Sequence, residues 1–293
     1  MSDVIRISKY GFTATIRPEG AQLISLIAPD GREVIWQGDP AIWADHTPVL
    51  FPVIGNCKDA SITIGSKKYP MNKHGFARKA MFTPAIIGEN YVTLELTESP
   101  ETLKMYPFAF SFQVTYELTE KGFVCTMLTE NQSDRPMPFC VGGHPAFVVP
   151  MEEGAAFEDY QLVFPDDEAA ENLLCPGGQL ITGSERIAFP GGVIPLTHAI
   201  FDEKDTLMLS GLRSDHVDLV HRRTGHGLRL TCEDADVMAI WTRPNNHGNY
   251  LCLEPWVGQP GGVKESGDFT DKPHALTLQP GESYPFIFEA ELL

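Results

Sequence analysis

Basic residues are scarce in this 293-residue chain: 22 Lys and Arg stand against 39 Asp and Glu, a formal charge of −17. Such a surface repels nucleic acid and anionic lipid, and no block of Lys or Arg offsets it, so no nucleic-acid or membrane partner is expected. No run of about 18 apolar residues occurs. The opening Met1-Ser2-Asp3-Val4-Ile5-Arg6 lacks the charged-then-apolar order of a secretory leader, which predicts a cytoplasmic protein. Cysteine is sparse and scattered, at Cys57, Cys125, Cys140, Cys175, Cys232 and Cys252. Without a C-x-x-C pair, neither a structural zinc site nor a redox motif is indicated, and buried reduced thiols are expected. The G-x-S-x-G elbow, the Walker phosphate loop and the G-x-G-x-x-G fingerprint are missing as well. Linkers are also lacking: no Gly/Ser-rich or charged stretch and no internal period divides residues 1–293, which read as one domain.

What the chain does have is a core and a strand grammar. Hydrophobic residues make up 43% and charged residues 21%, enough apolar material for a large core. Val4–Ser8, Thr13–Arg17 and Gln22–Ile27 are β-branched or alternating, with Tyr10-Gly11 and Glu19-Gly20 between them. Asp30-Gly31 separates the third from Glu33–Trp36 as a hairpin turn would. Similar pairs flank Gly65-Ser66 (Ser61–Ile64, Lys68–Met71), Lys121-Gly122 (Phe108–Leu118, Phe123–Glu130), Thr224-Gly225 (His216–His221, Gly227–Thr231) and Pro280-Gly281 (His274–Leu278, Tyr284–Glu291). Helix signals are few. Ser99-Pro100-Glu101 predicts a turn or two before Pro107, and Glu168–Leu174 reads as a second short helix. Closely spaced strands with turn residues between them predict an all-β fold, one large antiparallel sandwich.

Three polar clusters sit beside glycines or at strand ends: Lys73-His74-Gly75-Phe76-Ala77-Arg78, Val141-Gly142-Gly143-His144-Pro145-Ala146-Phe147, and Leu251-Cys252-Leu253-Glu254-Pro255-Trp256-Val257-Gly258-Gln259-Pro260. In the third, a carboxylate interrupts an apolar strand, which is costly unless the group is paired or used. His221 and His226 are four apart but straddle a turn, so no metal role is assigned to them. Trp36, Trp43 and His46 read as packing.

With Gly20-Ala21-Gln22-Leu23-Ile24-Ser25-Leu26, Asp30-Gly31-Arg32-Glu33-Val34, Pro48-Val49-Leu50-Phe51-Pro52-Val53-Ile54-Gly55 and Tyr106-Pro107-Phe108, these clusters follow a familiar order. Together they resemble the aldose 1-epimerase family of the galactose mutarotase-like superfamily, most closely its LacX-like branch. The resemblance implies a β-supersandwich whose concave face binds a pyranose. It implies that His144 donates a proton to the ring oxygen while Glu254 removes one from the anomeric hydroxyl. It places His74, Arg78, Asp205, Trp241 and Lys58 against the sugar. Asn56 and Gly261-Gly262 depart from the family pattern, so a preference for galactose or glucose does not carry over.

Imidazole suits such chemistry because its ordinary pKa lies near neutrality, and a carboxylate becomes an effective base when partial burial raises it. No metal or organic cofactor is required. The expected partner is a small sugar or sugar phosphate; the sequence leaves the oligomeric state open. Hexose-6-phosphate 1-epimerase is the alternative enzyme, with Arg78 and Lys58 as the phosphate fork. A non-catalytic carbohydrate-binding protein would not need the acid–base pair. A purely structural β domain would have its concave face filled.

Overall fold

The computed structural model describes residues 4–165 and 168–293; Met1-Ser2-Asp3, at the head of the leader reading, lie outside them. Two large antiparallel sheets dominate. One has nine strands, ordered Val193–Pro195, Tyr160–Val163, His216–His221, Gly227–Thr231, Ser283–Leu292, Gly122–Asn131, Phe110–Leu118, Tyr91–Thr97 and Thr83–Ile87. The other runs Gly183–Phe189, Glu168–Leu174, Thr206–Ser210, Val237–Trp241, Tyr250–Val257, Val141–Gly143 and Val49–Leu50, with Ala146–Val148 also on Tyr250–Val257. A three-stranded meander, Ile5–Lys9, Phe12–Arg17 and Gln22–Ile27, lies where the sequence places it.

The two sheets face each other because each strand buries alternate residues. Along Gly122–Asn131, Phe123, Cys125, Met127 and Thr129 are buried while the residues between them are partly exposed. Phe286 and Phe288 of the nine-stranded sheet join Leu251, Leu253 and Ile240 of the other in one continuous core. The all-β sandwich expected from the turn spacing is therefore the fold. Among the described residues no helix is long and apolar enough to cross a membrane.

Some local expectations need correction. Glu168–Leu174 is a strand, paired along its length with Gly183–Phe189. Its Ala and Leu content favours helix, but its burial has period two, and Glu168 and Asn172 satisfy backbone donors of Ser214 and Met208 at 2.8 and 2.9 Å. The turn expected after Ser99 is present, a single 3₁₀ turn at Thr102–Lys104 in which Ser99 Oγ accepts the Thr102 N–H at 3.1 Å. Pro280-Gly281 does not close a hairpin. Leu276–Leu278 pairs with Met137–Phe139, whereas Ser283–Leu292 lies between Gly122–Asn131 and Gly227–Thr231. Glu33–Trp36 makes only isolated bridges.

All six cysteines are free and buried. Burial pushes the thiols of Cys57 and Cys175 up to about 11 and those of Cys140 and Cys232 to about 12, which makes them poor nucleophiles. Ellman's reagent is expected to leave all six unlabelled in the folded protein and to titrate six after denaturation; rapid labelling of a native thiol would contradict this packing.

Candidate active site

The strand Tyr250–Val257 is buried over its whole length, which requires an apolar layer on one face and some other cover on the opposite one. Leu251 and Leu253 point into the main core. Tyr250 and Cys252 point the other way, into a small separate cluster with Trp36 and Ala146. Glu254, two residues beyond Cys252, shares that second face. Pairing in register aligns Met208, Ala239 and Glu254 in one row across three strands, and Thr206, Trp241 and Cys252 in the next. Met208, Glu254, Thr206 and Trp241 of these rows line a cavity of about 500 Å³ together with His74, Arg78, His144 and Asp205, with Lys73, Trp43 and Arg243 among its other walls. The volume is typical of small-molecule sites. A larger cavity of about 630 Å³ lies on the far side of residues 72–81, but it contains neither His144 nor Glu254.

His144 reaches this cavity because Gly142-Gly143 lets the preceding strand come in close. A Cβ on Gly142 would lie 2.6 Å from the Trp256 ring, and one on Gly143 would lie 2.6 Å from Phe288. The imidazole is stacked on Trp43, with centroids 5.1 Å apart and planes at 23°, and meets Trp241 and His74 edge-on. Its Nε2 stands 3.2 Å from Glu254 Oε2. That contact is an approach rather than a hydrogen bond, and the buried Oε2 has no hydrogen-bond partner.

The surroundings set the ionisation of this pair. Burial, then the charges of Arg78 and Lys73, push His144 down to about 3. Burial raises Glu254 well above the ordinary carboxylate value, opposed by Lys73 and Arg78. The His74 imidazole is held well below its usual value by burial, then by Lys73, His144 and Arg78. His74 and Gly75 both take positive φ, 63° and 75°. This turn aims the His74 ring so that its Nδ1 accepts the Gly55 N–H at 3.1 Å. In the neutral ring the remaining proton is therefore on Nε2, which acts as a donor.

The other expected residues divide. Asp205, at φ 65°, ends the helix His198–Lys204 and accepts from Trp241 Nε1 at 3.2 Å, so the carboxylate and the indole form one wall. Arg78 lines the cavity but is tied to Asp45 by a 2.5 Å Nη2–Oδ2 bond. Lys58 does not line it. Its Nζ donates to the Glu265 carbonyl at 2.7 Å, a partner 207 residues away that spacing could not foresee. Lys73, adjacent to His74, supplies an exposed ammonium instead. Arg243 follows Trp241 by two and so projects on the same side, a signal that strand alternation offers and that went unused. Trp36 and His46 pack as expected, His46 Nδ1 lying 2.7 Å from the Trp36 carbonyl oxygen. Trp43, by contrast, lines the cavity as well as packing.

The aldose 1-epimerase family model matches residues 3–290. The chain belongs to the aldose 1-epimerase family. Among its relatives, the plasmid-encoded Protein LacX of Lactococcus lactis subsp. lactis is 30% identical over 99% of both chains. A solved galactose mutarotase related enzyme from Lactobacillus acidophilus superposes with a TM-score of 0.93 at 29% identity, covering 99% of this chain and 97% of that one. A galactose mutarotase-like protein from Lactobacillus casei gives 0.92 at 30% identity, covering 99% and 100%. The galactose mutarotase-like sandwich expected from the sequence is therefore the architecture.

Proposed function

We propose that this aldose 1-epimerase family member interconverts the α and β anomers of an aldose, with Glu254 and His144 as the acid–base pair. The observation that carries the reading is the 3.2 Å approach of imidazole and carboxylate on the floor of a cavity of small-molecule size. A purely structural domain would have filled this space.

Opening the ring requires a base at O1 and an acid at O5. Glu254 as carboxylate takes the anomeric hydroxyl proton, the C1–O5 bond breaks, and His144 as imidazolium gives its proton to O5. The product is an open-chain aldehyde facing a neutral imidazole and a protonated carboxyl. Rotation about C1–C2 presents the other carbonyl face. O5 then attacks C1, His144 recovers its proton, and Glu254 returns one to O1. Across the cycle the pair holds one exchangeable proton, and only its position changes. The protein without ligand favours the proton on Glu254, because burial disfavours charge on both groups. That is the ionisation needed opposite the aldehyde, so the site stabilises the intermediate without net proton uptake. Neutral His74, donating through Nε2, suits the ring oxygen or a neighbouring hydroxyl. Trp43 and Trp241 offer faces and edges to C–H-rich sugar surfaces.

A sugar phosphate is the second reading, and the exposed Lys73 and Arg243 on the cavity wall support it. Anomeric exchange measured by proton NMR on free aldoses and their 6-phosphates in parallel separates the two. Equilibration of neither at rates above the uncatalysed reaction would remove the enzymatic reading. Lys73→Ala is expected to raise KM for the better substrate about 10-fold, roughly 1.4 kcal/mol, as loss of one charge-assisted contact does. Lys58→Ala is expected to change it by less than about twofold. The reverse order would return Lys58 to the site.

A further inference from the structure

Cys252 lies directly beneath the acid–base pair and has no part in the chemistry above. It occupies the same face of its strand as Glu254, two residues away, and its register partner Ala146 follows His144 by two. One ligand atom from each of His144, Cys252 and Glu254 lies within 4.8 Å of the others, and all three residues are buried. Glu254 Oε2 is buried and accepts no hydrogen bond.

We propose that His144, Cys252 and Glu254 form a zinc-binding site through which Zn²⁺ competes with the sugar; this rests on the catalytic reading only for its inhibitory consequence. The donor set decides the class of ion. One imidazole, one thiolate and one carboxylate match borderline ions such as Zn²⁺ and Co²⁺, whereas Mg²⁺ and Ca²⁺ favour sets made of oxygen alone. Tetrahedral zinc with bonds of about 2.0–2.3 Å brings its ligand atoms to roughly 3.5 Å from one another. His144 and Glu254 already stand at 3.2 Å, and the three ligand atoms lie within 4.8 Å of one another, so only small side-chain adjustments separate them from that geometry. Binding displaces two protons to solvent, one from the Cys252 thiol and one from the Glu254 carboxyl, and replaces the S–H and O–H bonds with Zn–S and Zn–O bonds. A fourth coordination position faces the cavity, because His144 and Glu254 both line it. An ion there takes both groups that must touch O5 and O1, so zinc and aldose exclude each other.

The test uses the whole protein freed of metal by a chelator. Co²⁺ is expected to bind one equivalent and to produce the intense near-ultraviolet absorption of a thiolate–cobalt bond, which Zn²⁺ abolishes by displacement. Cys252→Ala and, to guard against a packing defect, Cys252→Ser are both expected to lose that band and to weaken zinc by at least about 100-fold, since even outer-shell ligand partners are worth 10–100-fold. Both are expected to keep turnover of the metal-free protein near the parent value. Zn²⁺ should raise the apparent KM for the aldose and leave kcat unchanged, with full reversal by chelator. Failure to bind Co²⁺, or a thiolate band that survives in both variants, overturns the proposal. The spectrum requires no turnover, so it decides the metal site even if no aldose proves to be a substrate.

Discussion

Replacing Glu254 with Gln is expected to lower the rate of anomer exchange by about 10²–10⁴-fold, the range that a positioned proton-transfer group supplies. The carboxyl is buried and its neutral form is favoured, so an amide of the same shape fits without uncovering a charge, and little stability is lost. The deficit should therefore appear in kcat, with the thermal transition and circular dichroism close to those of the parent. His144→Asn is expected to cost a similar factor in rate, but with somewhat lower stability, because it also removes the ring stacked on Trp43. Polarimetry on both variants is decisive. A near-normal rate in either, with the fold unchanged, would remove that residue from the mechanism.

Much of this arrangement is legible in the sequence. Turn residues at short intervals announced the antiparallel sandwich, and Gly142-Gly143 and the lone carboxylate of Tyr250–Val257 marked their neighbours as unusual. The convergence of His144 and Glu254 was not legible from spacing. It depends on register, Gly142 pairing with Trp256 and Ala146 with Cys252, which entered the sequence reading only through family resemblance. The failures are equally physical. Lys58 sits next to a glycine turn like a ligand, but a carbonyl from a remote loop captures its ammonium. Glu168–Leu174 has helical composition, and tertiary pairing overrode it. Lys73 was hidden beside the more conspicuous His74, although the positive φ there brings both residues to the cavity.

Asp45 is the residue whose importance no motif announced, and Asp45→Asn is expected to destabilise the protein by about 2–3 kcal/mol, the scale of lost hydrogen bonds between charged partners. Its side chain is 8% exposed and accepts Arg78 Nη2 at 2.5 Å and Lys79 Nζ at 2.9 Å. The two partners are not equivalent. Arg78 is 20% exposed and faces the cavity, whereas Lys79 is 60% exposed, so water already serves its ammonium. Lys79→Ala should accordingly cost less than about 1 kcal/mol. Burial alone would raise the Asp45 carboxyl; the Lys79 hydrogen bond and the charges of Arg78 and Lys79 outweigh it and hold the group below its usual 3.8. A folded value below the unfolded one means that the stabilisation is complete above the unfolded pKa and fades as pH falls through the folded value. The gap between parent and Asp45→Asn in denaturant titrations should thus be constant above about pH 5 and shrink progressively as pH falls below the unfolded value of the carboxyl. Activity should fall with it by about 10-fold, because Arg78 loses its anchor and its charge bears more strongly on His144, opposing the imidazolium that ring opening needs. Equal costs for Asp45→Asn and Lys79→Ala, or a gap that does not shrink at all on acidification below the unfolded pKa, would show that the carboxylate is not the anchor of Arg78.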